Sequence, residues 1–588
     1  MELGNSARPG ATAQAEGGLL PLLLGHRAGC GPAPGVPAKP RSRMGRWRAL
    51  VLILVHVAIA ARIAHWKLTG RAVTPLEPSE AGLALSEGLF TAGFFFFVLL
   101  LLSTAIFGRF FCGWGCHLVA LQDACAALLK RLGLAPRPLR SRLLLWVPWI
   151  GALELFLLPA LLRLTDGSAW PTLRMHLVTE DFWARFPGLG VALFTFLVCG
   201  GLAVWALGNK GFCTYACPYG ALFGALDRVA PGKIRVTDAC DGCGHCTAVC
   251  TSNVRVHAEV RAFGKVQDSG CMKCLDCVSA CPKEALFFGF KDQREQRQPK
   301  SAPPKAERRY DFTWGEELAL LLLFLLGLYA LRNLYGVVPF LLALALGSLF
   351  ALAGLLLWRL VRRSELRFQQ LLLKRAGRLT PTGFAALLPL VAAFVVVGHS
   401  ARLQWQAREG QRLLLEAGQL SGAERAERVQ RAYDLLLAVE RQQLLTTPDL
   451  ANRLGAIELE LGNLSAAVKH LEVARVEAPR SLAVLDKLAN AQRGLGAELD
   501  LQLTLARGLA LLASRDPEQA RGQAEAAAPD AIRAVGTYPE DERPLLLLCW
   551  IQAILGDPAT ASANAQKRKQ TTLPADWQAL ERFTTGPK

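Results

Sequence analysis

A chain of 588 residues that is 52% apolar and only 19% charged is too long for one domain and too apolar for a soluble one, so it is expected to lie in a membrane. Its formal net charge of +18 does not point to nucleic acid, because the basic residues gather at the ends of apolar runs and not along a polar face with interleaved aromatics. The cytoplasmic bias of Lys and Arg in membrane proteins accounts for the charge better.

Residues 1–43 are rich in Gly, Ala and Pro, lack a signal-peptide pattern and are expected to be disordered; Met44, ahead of "GRWRALVLILVHVAIAARIAHW", is an alternative initiator to Met1. Seven apolar runs then reach, or nearly reach, the length of a membrane span: Ala49–Trp66, Leu89–Phe107, Leu143–Leu164, Leu189–Leu207, Leu318–Leu334, Val337–Trp358 and Phe384–Val397. Arg46 and Arg48 precede the first, Arg109 to Arg142 follow the second, and Arg359 to Arg378 follow the sixth, which predicts that these segments face the cytoplasm. Residues 67–88 and 165–188 are then periplasmic or extracellular, 208–315 cytoplasmic, and the chain beyond about 400 outside again if the seventh span is real.

Residues 107–124 read "FGRFFCGWGCHLVALQDA" and 208–225 read "GNKGFCTYACPYGALFGA". The same Phe-Cys-x-x-x-Cys pattern follows an apolar run twice, which suggests a duplicated helical hairpin. Cysteines four apart share a helical face. Cys112, Cys116, Cys213 and Cys217 would therefore converge at the membrane boundary, where they could hold a metal ion or a further cluster, act as redox thiols, or simply pack. For Cys125, Cys199 and Cys549 packing is the better reading.

Of the sixteen cysteines, ten lie between Cys213 and Cys281. Within that stretch, "CDGCGHCTAVC" (240–250) and "CMKCLDCVSACP" (271–282) are both C-x2-C-x2-C-x3-C, the bacterial ferredoxin spacing in which the fourth cysteine of each run serves the other cubane. This predicts one 4Fe–4S cluster on Cys240, Cys243, Cys246 and Cys281, and another on Cys271, Cys274, Cys277 and Cys250. Paired structural zinc sites usually come as separated C-x2-C pairs and fit less well.

Glu154 lies mid-span between Pro148 and Pro159, where it is either a proton acceptor for quinol oxidation or a neutral, hydrogen-bonded structural group. His56 and His65, on the first span, are weaker candidates for a haem or quinone contact. From about 402 the chain becomes polar and helical in period, and "PDLANRLGAIELELGNLSAAVKHLEVARVEAPRS" (448–481) fits the tetratricopeptide pattern at Leu454, Gly455, Gly462, Ala467, Ala474 and Pro479.

The two membrane-proximal cysteine pairs, "FCTYACPYGA" above all, together with the twin ferredoxin run, make residues 44–290 resemble the polyferredoxin membrane proteins of the NapH, NosR and CcoG type. The family's motif ends Cys-Pro; Cys217-Pro218 follows it, whereas Cys116 precedes His117, either an additional ligand or a tolerated substitution. The resemblance implies respiratory electron transfer: quinol oxidation for a reductase, support of nitrous oxide reductase, or copper handling for oxidase assembly.

The expected protein is mainly α, a polytopic helical protein of the inner membrane. Its parts are a four-helix core (44–208), a second cysteine motif with a cytoplasmic twin 4Fe–4S insert of small α+β type (209–312), three further spans (313–400) and a tetratricopeptide-like docking domain (401–588). Its expected role is electron transfer between the quinone pool and a redox protein partner, with no nucleic-acid partner. Copper reduction for enzyme assembly and a redox-sensing scaffold are the alternatives.

Overall fold

The computed structural model describes residues 43–588 except 167–168, 181, 183–187, 291–309, 480, 514–515, 538–540, 567–573 and 586–588, so the N-terminal segment expected to be disordered lies outside the described residues. The chain divides into two units, the first running to Ala401 and the second from Arg402 onward together with Leu334–Gly336.

The helices of the first unit include α1 (Met44–Thr69), α2 (Ala92–Phe107), α3 (Phe110–Trp114), α4 (His117–Arg131), α5 (Leu144–Thr165), α6 (Leu189–Leu207), α7 (Gly211–Tyr215), α8 (Pro218–Val229), α9 (Trp314–Leu331) and α10 (Phe340–Arg362), and α11 (Pro381–Ala417) begins in it. Among the described residues, α1, α5, α6, α9, α10 and α11 are long and apolar enough to cross a membrane. The second predicted span is shorter than expected, because Leu89–Thr91 is a strand and the Thr91 hydroxyl caps α2 by accepting from Phe94 N at 3.3 Å. The seventh predicted span is part of α11, a single helix of 37 residues. Both α5 and α6 contain π-turns, at Leu153–Leu157 and Phe196–Leu202, a local widening that is frequent at functional sites.

The two predicted outer loops join. β1 (Ala72–Val73) pairs antiparallel with β4 (Val178–Thr179), and β2 (Leu89–Thr91) pairs parallel with β3 (Arg174–His176). In the insert, β5 (Lys233–Val236) pairs antiparallel with β6 (Leu286–Gly289) and closes a core of Ile234, Val256, Val260, Val266 and Leu286.

Helices α9 and α10 approach closely at two glycines: a Cβ at Gly327 would lie 3.1 Å from Gly347 Cα, the small-residue packing that lets membrane helices meet where lipid offers no hydrophobic drive. Leu320, Phe324 and Leu344 share one apolar core with Phe212 and Tyr215 of the second cysteine motif. Ser348 Oγ donates to Tyr215 O at 3.2 Å, so the later spans buttress the motif directly. Glu317, fully buried, accepts from Ser141 Oγ at 2.5 Å, Arg142 N at 2.8 Å and Leu143 N at 3.1 Å, satisfying the donors that lead into α5.

The basic segment after α10 is a three-stranded meander, β7 (Leu366–Phe368), β8 (Leu371–Arg375) and β9 (Arg378–Leu379). It touches the other basic segment, with Arg137 N donating to Gln369 Oε1 at 2.8 Å.

The second unit is built of successive packed helices. Leu450–Glu460 lies against Leu464–Glu477, with Leu454, Ala467 and Leu471 fully buried between them. Turns at Gly462, Gly496 and Gly556 have φ of 77°, 67° and 90°, left-handed helix ends that glycine adopts without steric cost.

Candidate iron–sulfur and thiol centre

Each membrane-proximal motif begins at a glycine with positive φ, Gly108 at 71° and Gly208 at 109°, which ends the preceding span. A one-turn helix then carries the first cysteine, and the second cysteine is the extended N-cap of the next helix: Cys116 has φ −84° and ψ 121°, Cys217 φ −83° and ψ 110°. The two thiols of a motif therefore sit either side of a helix break, not on one continuous helical face as spacing alone suggests. Pro218 is the first residue of α8, a position where an N–H is dispensable; His117 occupies the same place in α4. The departure from Cys-Pro thus alters a helix start and leaves the thiol positions alike.

The four thiols converge. Cys112, Cys116 and Cys213 all bear electrostatically on Cys217, and Cys112 and Cys213 on Cys116. Burial, reinforced by the neighbouring thiols, pushes Cys116 up to about 12 and Cys217 well above the ordinary thiol value, so these sulfurs bind as thiolates only when a cation or cluster compensates them. Compensation is built in. The buried Arg109 guanidinium faces Cys112, Cys213 and Cys217, and Gln122 Nε2 lies 2.9 Å from Cys213 Sγ. Lys210, also buried, faces Cys213 and pairs with Asp123. These helpers escape sequence reasoning, although Arg109 and Lys210 occupy the same position in both motifs, three residues before the cysteine.

In the insert, Cys240, Cys243, Cys246 and Cys281 line one pocket. Cys250 interacts with Cys271, and Cys277 with Cys271, Cys274 and Cys250. Both crossed sets inferred from spacing are therefore neighbours in space. Burial pushes the Cys246 thiol up to about 11 and Cys250 up to about 12. The two loops wind alike: Gly242 and Gly244 (φ 77° each) correspond to Lys273 (50°) and Leu275 (63°), a left-handed backbone that turns amides toward the thiols. Among the described residues no three His, Cys, Asp or Glu side chains are close enough to share one metal ion, whereas a cubane holds its four thiolates further apart. The donor set and loop winding fit the 4Fe–4S group, which would supply one-electron redox chemistry when bound. Cys240 and Cys243 are exposed, and Cys271, Cys274 and Cys277 are buried.

The buried run abuts the first membrane motif. Arg109 Nη1 donates to Ser269 O at 2.8 Å and Trp114 Nε1 to Lys273 O at 3.1 Å. A Cβ on Gly113 would collide with the Met272 carbonyl. Arg48, from the start of α1, bridges Asp276 at 3.2 Å and Asp123 at 3.1 Å.

Other predicted residues lie elsewhere. Glu154, on the π-turn of α5, is ion-paired with Arg332. His117 faces Glu77 and His56, and burial lowers its pKa. His56 Nδ1 lies 2.8 Å from its own helix at Leu52 O. Cys125, Cys199 and Cys549 are buried.

A bundle of apolar helices carrying these cysteine sets defines a ferredoxin-type iron–sulfur membrane protein. Residues 232–282 match the 4Fe-4S dicluster domain, and 89–134 and 189–237 each match the 4Fe-4S binding domain, one copy per membrane-proximal motif. Through this region the chain is similar to the NapH-like ferredoxin-type proteins. It is 25% identical over 198 residues to the ferredoxin-type protein NapH of Haemophilus influenzae (32% of this chain, 66% of the relative). To the methylamine utilization ferredoxin-type protein MauN of Methylorubrum extorquens it is 26% identical over 238 residues (37% and 79%). YccM of Escherichia coli is 28% identical over 186 residues, 29% of this chain, and the match spans about half of that relative (48%). No solved structure matches.

Proposed function

We propose that this protein carries electrons between the membrane quinone pool and a redox protein partner, through two 4Fe–4S clusters in the insert and the four membrane-proximal thiols. The observation that carries the reading is the contact of the first thiol motif with the 269–274 loop, through Arg109–Ser269 and Trp114–Lys273. One cluster is assigned to Cys240, Cys243, Cys246 and Cys281, and the other to Cys271, Cys274, Cys277 and Cys250. The thiols of Cys112, Cys116, Cys213 and Cys217 are assigned a third redox centre, supported by the 4Fe-4S binding domain matching once at each pair. The insert is assigned to the cytoplasm on the strength of the flanking basic segments. The C-terminal helices, whose Leu-Gly turns at Gly462 and Gly496 recur at the ~34-residue tetratricopeptide period, are assigned to protein docking.

Redox-poised EPR with iron quantitation on the purified protein tests this. About eight iron atoms per chain fit two cubanes and about twelve fit three. A protein containing zinc and no EPR-active iron would overturn the proposal.

A further inference from the structure

Where α8 ends and β5 begins there is a cavity of about 580 Å³. Among the described residues its wall carries four cationic side chains, Arg228, Lys233, Arg235 and Lys265, and no carboxylate. They come from three segments: the last turn of α8, β5, and the strand-like stretch at Lys265 that bridges antiparallel to Arg235. Arg228 is exposed and Lys265 half-buried, whereas Lys233 and Arg235 are buried behind them. Lys233 approaches Asp227 at 3.3 Å, but the same carboxylate serves Lys273 at 2.7 Å, so two ammonium groups share one counter-charge. The Arg235 guanidinium is held by backbone, Nε donating to Gly289 O at 2.9 Å and Nη2 to Pro231 O at 3.1 Å and Phe290 O at 3.0 Å. Cations fixed together in this way set up a field that an anion relieves. The same wall meets apolar chain. Gly232 N donates to Ile106 O at 3.0 Å, at the end of α2, and Phe107 stands edge-on to Phe290 with ring centroids 5.7 Å apart. Leu99, Leu102 and Ile106, spaced i, i+3 and i+7, are exposed and run as one apolar stripe down α2 to this corner.

We propose that this cavity binds the phosphate headgroup of an anionic phospholipid, with Arg228 and Lys265 on the phosphate oxygens and an acyl chain along Leu99, Leu102 and Ile106. Lys233 and Arg235 add positive field from behind without touching the lipid. Phosphate is the anion that a guanidinium fork matches best. A basic pocket at the foot of an exposed apolar helix favours the lipid-borne form of that anion over the free one, because headgroup and chain are then bound together. The lipid would join α8, β5 and the Lys265 stretch to the bilayer beside α2, a role separate from the movement of electrons.

The test uses the purified holoprotein in phosphatidylcholine nanodiscs that contain a photoreactive phosphatidylglycerol, with peptide mapping of the crosslinks and native mass spectrometry of protein released from the same discs. Crosslinks are expected on 99–107 and 228–235, with phosphatidylglycerol retained in preference to phosphatidylcholine. Arg228→Gln with Lys265→Gln is expected to lower phosphatidylglycerol retention by about tenfold or more, whereas Arg228→Lys with Lys265→Arg keeps it. Iron content equal to the parent's shows that the insert of each variant is intact, and the mapping of the parent decides the location even where a variant does not fold. Crosslinks confined to other helices, or equal retention of the two lipids by the parent, overturn the proposal. Inorganic phosphate that displaces phosphatidylglycerol, and binds as tightly in discs of phosphatidylcholine alone, overturns the lipid as occupant.

Discussion

Lys273 and Asp227 form an ion pair 2.7 Å long in which neither side chain reaches solvent. Lys273 lies between two cysteines of the buried cluster run, and Asp227 is on α8, behind the second membrane motif. The same carboxylate oxygen accepts Arg109 N at 3.0 Å, and Lys233 approaches the other at 3.3 Å. One buried aspartate thus fastens both membrane motifs to the insert.

Asp227→Asn is therefore expected to leave two buried ammonium groups uncompensated, at a cost of about 3–5 kcal/mol for breaking such a pair from one side. Thermal unfolding of the holoprotein should show a clear drop in midpoint, with the signal of the Cys271 cluster lost first. An unchanged midpoint would mean that the lysines find other partners.

Cys274→Ser and Cys243→Ser should differ. On the proposed cluster assignment, the first removes a ligand from the buried run against the membrane motif, the second from the exposed run. With a membrane-side reductant, the Cys243 variant is expected to retain a reducible inner cluster, whereas in the Cys274 variant the outer cluster stays oxidised although dithionite reduces it. Equal behaviour in freeze-quench EPR would refute an inner-to-outer order.

Gly113→Ala places a methyl against the Met272 carbonyl. Backbone cannot yield as a side-chain tip does, and overpacking of this kind costs about 1–3 kcal/mol. The expected result is full iron content with slower electron transfer between membrane and insert, read by stopped-flow bleaching of the clusters.

Glu317→Ala strands the donors of Ser141, Arg142 and Leu143 at the start of α5. A loss of roughly 1–3 kcal/mol per unsatisfied buried group is expected, seen as a lower midpoint in detergent. Glu317→Gln, which keeps an acceptor, should recover part of it.

The two ferredoxin-type cysteine runs were legible, because each is a compact C-x2-C-x2-C-x3-C spacing, and residues 232–282 match the 4Fe-4S dicluster domain. The junction was not, since its partners are far apart in sequence: Lys273 and Asp227 by 46 positions, Arg109 and Ser269 by 160. The convergence of Cys112, Cys116, Cys213 and Cys217 was readable from their repetition, but the means was not, because helical periodicity assumes an unbroken helix, whereas each motif breaks at Gly115–Cys116 or Ala216–Cys217 between two short helices. The meander at 366–379 hid among basic residues that read as a topology signal. The start of α2 was misplaced because Leu89–Thr91 is as apolar as the helix it precedes.

The strand pairing of the segments that follow α1 and α5, Ala72 with Thr179 and Leu89 with Arg174, bears on how the duplicated hairpins behave. Inverted-repeat transporters work by letting one half rock against the other. Here the halves are stitched at one end by strands and at the other by a buried carboxylate shared among Arg109, Lys233 and Lys273. Clamps at both ends oppose such rocking, and a frame that resists rearrangement suits electron transfer between fixed sites better than alternating access.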